Sequence, residues 1–81
     1  MNHFNETLKT SNGILNFYFN RKSDAIGSPF LISTVQRDGT ALVFEMEKAG
    51  DQWFLTKNNT TDFLIVIESR LSAVIKAHTG S

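Results

Sequence analysis

Apolar and polar residues alternate singly along most of this chain, and the period lengthens only in its last quarter. From Ile14 to Arg21, Leu15, Phe17 and Phe19 interleave with Asn16, Tyr18 and Asn20. That period of two belongs to a half-buried strand, and Asn12-Gly13 is the turn signal that opens it. A polar loop from Arg21 to Pro29 follows. Phe30 to Gln36 predicts a second strand, with apolar residues on both faces. Asp38-Gly39 reads as a two-residue type I′ hairpin turn, with φ > 0 at both positions and Arg37 and Thr40 flanking it. Counting outward sets Val35 opposite Leu42, Ser33 opposite Phe44 and Leu31 opposite Met46, and opposed residues share a face. The third strand, Ala41 to Glu47, turns Glu45 and Glu47 to water. Gln52 to Thr56 is the fourth, with Trp53 and Leu55 on one face and Phe54 and Thr56 on the other.

From Thr60 to Gly80 the spacing becomes helical. At about 100° per residue, Phe63, Leu64, Ile67, Leu71, Val74, Ile75 and His78 gather on one side. Ser69, Ser72 and Lys76 fall opposite. Asn59, Thr60, Thr61 and Asp62 offer N-cap chemistry, and Gly80 is a left-handed stop. Phe63 to Ile67, taken alone, suits a buried strand. The continuing period through Leu71, Val74 and His78 decides for a helix, which leaves Ile65 and Val66 off the main stripe. The expected fold is therefore α+β: a four-stranded antiparallel meander followed by one C-terminal helix packed on one sheet face (β-β-β-β-α). It occupies residues 13–80, behind a weakly structured N-terminal arm of residues 1–12. In that arm Phe4 and Leu8 are spaced as on a helical turn or along an extended strand. The expected core is Leu15, Phe17, Phe19, Leu31, Val35, Leu42, Phe44, Met46, Trp53 and Leu55, with Phe44 facing Leu71 on the helix.

Composition narrows the class. At 81 residues and 41% apolar content the chain supports one small core and not a disordered segment. It has no cysteine, which suits a reducing compartment. No basic start precedes an apolar stretch and no apolar run approaches a membrane span, so a cytoplasmic location and no membrane partner are expected. Eight basic residues balance eight acidic ones, which disfavours a generic attraction to nucleic acid.

The sequence carries no catalytic, cofactor or metal constellation. No phosphate-cradling loop, nucleophile elbow or metal-ligand spacing occurs, and no enzyme activity is expected. His78 falls in the last turn of the helical stripe, where it is expected to pack at the core edge beside the final carbonyls. Glu45 and Glu47 form a solvated stripe. The sequons at Asn5, Asn58 and Asn59 lack a secretion signal to give them meaning.

What stands out is the second face of the sheet. The register above gives it Ile14, Tyr18, Ile32, Val43 and Phe54, and the helix adds the off-stripe Ile65. A sheet with one helical layer is expected to be wetter on its other side, so these six residues form a candidate interaction face. Its expected occupant is a second copy or another protein, or else the N-terminal arm folds over it. The order of elements over about residues 14–78 is similar to the β4α unit of single-strand-binding proteins of the coactivator, Whirly and purine-element types, without a shared motif. That similarity implies the alternative of single-stranded nucleic-acid binding, with Tyr18 and Phe54 as stacking platforms and Arg21, Lys22 and Arg37 near phosphates.

Overall fold

The computed structural model describes residues 3–21, 23, 27–56 and 61–80. It contains β1 (His3–Thr10), β2 (Gly13–Arg21), β3 (Phe30–Val35), β4 (Ala41–Ala49), β5 (Gln52–Leu55) and α1 (Asp62–Thr79). The five strands pair antiparallel in chain order, and α1 packs on the inner face of the curled sheet. The expected α+β architecture is observed with one strand more.

The additional strand is the N-terminal segment. Phe4 pairs with Phe19 and Leu8 with Leu15, so both side chains point inward and pack against the core. Their spacing of four is shared by a helix face and by alternate positions of a strand. Pairing decides between them, because β2 would otherwise present a full row of unpaired backbone groups. The segment is therefore the sheet's first strand, and it does not cover the outer face.

β3 also departs from the expected register. Phe30 pairs with Met46, Ile32 with Phe44 and Thr34 with Leu42, one residue away from the expected register. The connection is a three-residue loop. Gln36 N–H donates to Thr40 O and Gly39 N–H to Gln36 O, each at 2.9 Å. Gly39 has φ +88°, and no non-glycine residue described has positive φ. A type I turn closed by a left-handed glycine forms a bulge that absorbs one more residue than a I′ turn. Phe30 and Ile32 thus enter the core, and Leu31 and Val35 turn outward. Thr34 is buried beside them, with Oγ1 donating to Asn16 O at 2.8 Å.

The loop also holds Asp38, whose Oδ1 accepts from Thr40 N–H at 2.9 Å. These hydrogen bonds from Thr40 hold the Asp38 carboxyl below its ordinary value. A lowered carboxyl contributes its stabilisation above the ordinary pKa and loses it as pH falls through the folded value. The Thr40 amide resonance should therefore titrate with a midpoint below the ordinary aspartate value. A midpoint at or above that value would remove the turn-specific bond.

The core joins Leu15, Phe17, Phe19, Phe30, Ile32, Phe44, Met46 and Trp53 to Phe63, Leu64, Ile67, Leu71 and Ile75 of α1. Phe44 and Leu71 are both buried, as expected. Phe17 meets Phe44 edge-on at 6.3 Å, and Phe30 meets Trp53 at 5.3 Å. Arg21, at the inner end of β2, lays its guanidinium 4.5 Å from the Phe30 ring centre, on the inner side of the sheet. Gly80 ends α1 with φ +75° and donates to Lys76 O. Asn59 and Thr60, expected to help cap the helix start, lie outside the described residues.

One helix position departs from its expected side. Ser72 lies about 180° from Phe63 on the helical wheel, yet it is buried because α1 rolls toward β5. Hydrogen bonding alternates along an antiparallel strand. Thr56 N–H bonds Glu45 O across the β4–β5 pair, so the N–H groups of Trp53 and Leu55 point to the open edge. Trp53 N–H donates to Ser72 Oγ at 2.9 Å and Leu55 N–H to Glu68 Oε2 at 2.7 Å. Ser72 Oγ in turn donates to Gln52 Oε1 at 3.1 Å. The helix seals this edge with side chains.

Candidate interaction surface

The outer face is built by the pleat. Tyr18 is opposite Ser33, and Ser33 is opposite Val43. Leu31 and Val35 lie two residues either side of Ser33, so four large apolar side chains surround one small polar one. Their exposures are 45% for Tyr18, 59% for Val43, 39% for Leu31 and 59% for Val35. Asn16 Nδ2 donates to Tyr18 Oη at 3.1 Å. This ties the phenol to a neighbour on the same face.

Of the six residues expected on this surface, Ile14, Tyr18, Val43 and Phe54 are exposed on the outer sheet face. Ile32 is not: it is fully buried, for the register reason given above. Ile65 is exposed but lies on α1, behind the opposite sheet face, and does not extend the patch. Leu31 and Val35, assigned to the core by the sequence, take Ile32's place. Val66 is exposed beside Ile65 on the helix. The signal that would have found Leu31 and Val35 is the length of the turn, since a three-residue loop reverses the face of every β3 residue.

Charge is placed at two corners of the face. Lys9 pairs with Ile14 at the end of the β1–β2 hairpin. Glu45 is opposite Leu31, and Glu47 is opposite Phe54. The basic corner and the acidic corner lie across a diagonal of the sheet. Arg21 stacks inside instead of joining this face, and Lys22 lies outside the described residues.

Elsewhere, the His78 ring stacks on Phe4 at 4.1 Å and 9°, with Nε2 3.3 Å from Glu6 Oε2. Its neighbour is thus the first strand, through Phe4 and Glu6. A cleft of about 250 Å³ next to it is lined by Glu6, Ala73, Val74, Ala77 and His78. Among the described residues no cluster of three or more His, Asp or Glu side chains is placed to hold a metal ion, and no helix is long and apolar enough to cross a membrane. No known protein family, curated protein or solved structure matches this chain.

Proposed function

We propose that this protein is a small, non-enzymatic interaction module that self-associates through the outer face of its sheet. The observation that carries it is the apolar group of Tyr18, Leu31, Val35 and Val43 around Ser33, exposed on the side away from α1. Two features favour a second copy as the occupant. A two-fold axis along the free diagonal of the face sets the Lys9 corner of one copy over the Glu45–Glu47 corner of the other, in both directions. The chain is also formally neutral, so no net repulsion opposes pairing. Five strands about 4.8 Å apart and roughly 20 Å long give the curled sheet an outer face of about 450–500 Å². Two such faces bury at most about 900–1,000 Å², below the range of stable interfaces, which makes the dimer weak and concentration-dependent.

Nucleic-acid binding by the same face is the alternative. The exposed rings of Tyr18 and Phe54 favour it, while Glu47 beside Phe54 and the inward Arg21 oppose it. Equilibrium sedimentation at high micromolar concentration tests self-association. The parent should be dimeric, and Val43→Lys should raise the dissociation constant tenfold or more, because a buried ammonium without a partner is costly. A parent that stays monomeric overturns the proposal. Salt-sensitive binding to a mixed oligonucleotide pool would then support the alternative.

A further inference from the structure

The two edges of the sheet are treated differently. At β5 the outward N–H groups meet Ser72 and Glu68. At β1 the alternation of paired groups, carried across the sheet from Gln36–Thr40 and Thr56–Glu45, sends the backbone of His3, Asn5, Thr7 and Lys9 outward. The helix meets this row only at its end, where Arg70 Nη1 donates to Lys9 O at 2.6 Å. Among the described residues nothing pairs with the outward groups of Asn5 and Thr7. The strand runs eight residues without a bulge or a proline, so it is a regular template for another strand.

Beside this edge lies the cleft between β1 and α1. Its volume of about 250 Å³ is below the usual range for small-molecule sites and suits one long side chain. Ala73, Val74 and Ala77 give it an apolar wall, and Glu6 gives it a carboxylate with one oxygen, Oε2, 3.3 Å from His78 Nε2. That combination fits a side chain with an aliphatic stem and a cationic head.

We propose that the open stretch of β1 and this cleft form a strand-addition site for an extended peptide of another protein. The peptide bonds to the outward backbone groups of Asn5 and Thr7. It sends a lysine or arginine along Ala73, Val74 and Ala77 to the carboxylate of Glu6. Arg70 on Lys9 O marks the end of the site, so the paired stretch is short and its affinity is modest.

The probe is a blocked hexapeptide of alternating threonine and valine with lysine in the fourth place, titrated into isotope-labelled Val43→Lys protein so that self-association through the outer face plays no part. Amide shifts should cluster at Asn5, Thr7, Val74 and Ala77, saturating in the high-micromolar range. Norleucine for lysine should weaken binding severalfold. Thr7→Pro removes an outward N–H without touching the β1–β2 ladder and should weaken binding tenfold or more. Ala77→Lys, which fills the cleft from the exposed side of α1, should do the same. Absence of shifts at millimolar peptide overturns the proposal. So do shifts confined to Tyr18, Ser33 and Val35 on the outer face, or unchanged binding by both further variants. If the β1 amides shift with protein concentration alone, a second copy holds the edge and the peptide assignment fails.

Discussion

Phe30→Ala is expected to lower the free energy of unfolding by about 4 kcal/mol, while its neighbour Leu31→Ala costs under about 1 kcal/mol. Phe30 is fully buried and lies against Phe4, Phe19 and Trp53 at 5.6, 6.5 and 5.3 Å, with the Arg21 guanidinium above it. Removing the ring opens a cavity that four neighbours, held by three strands, cannot all close. Leu31 points outward and leaves no cavity. For a domain of this size the first loss is a large share of the total stability. Urea denaturation of the two variants reads the difference directly. Equal costs, or the reverse order, would show that β3 faces the other way.

The same pair of residues marks where the sequence is legible and where it is not. Strands alternate and helices repeat, so β2, β4, β5 and α1 are visible in the spacing of apolar residues alone. The faces of β4 follow from Glu45 and Glu47, which need water. β3 has no such anchor, because Leu31 and Val35 are as apolar as Phe30 and Ile32. Its face depends on whether Asp38-Gly39 or Arg37-Asp38-Gly39 makes the turn, and a slip of one residue exchanges the sides. That choice removed Ile32 from the candidate surface and brought Leu31 and Val35 onto it. β1 is hidden for a different reason: Glu6, facing His78, interrupts its inner apolar row. Ser72 is hidden because a serine that satisfies a strand N–H reads as a solvent residue until the strand is placed beside it.

Replacing both Glu68 and Ser72 by alanine should cost about 2–3 kcal/mol. Each replacement takes the acceptor from an edge N–H, at roughly 1–3 kcal/mol where water does not reach the group. Alanine returns about 0.5 kcal/mol per site as the better helix former. Glu68→Gln alone keeps its acceptor at a partly exposed position and should stay near the parent. The double alanine variant should also aggregate sooner on warming, because β5 then offers a bare strand edge. Denaturation midpoints and light scattering measure the two effects. A double alanine variant that melts and scatters like the parent would mean that the helix covers this edge without sealing it.

The two margins of α1 also differ in how far apart along the chain their partners lie. The bonds to β5 join residues 19 and 13 positions apart, whereas those to β1 span 61 and 72. Closing the longer loops costs about 1.2 kcal/mol more in chain entropy. Local closure is the faster event, so the helix hooks onto β5 early, as β1 pairs with β2 across its tight turn, and the contacts between α1 and β1 close last. On unfolding the order reverses, and the contacts between α1 and β1 are the first to open. The cleft between β1 and α1 is thus a seam whose opening is set by sequence distance as much as by the contacts that close it.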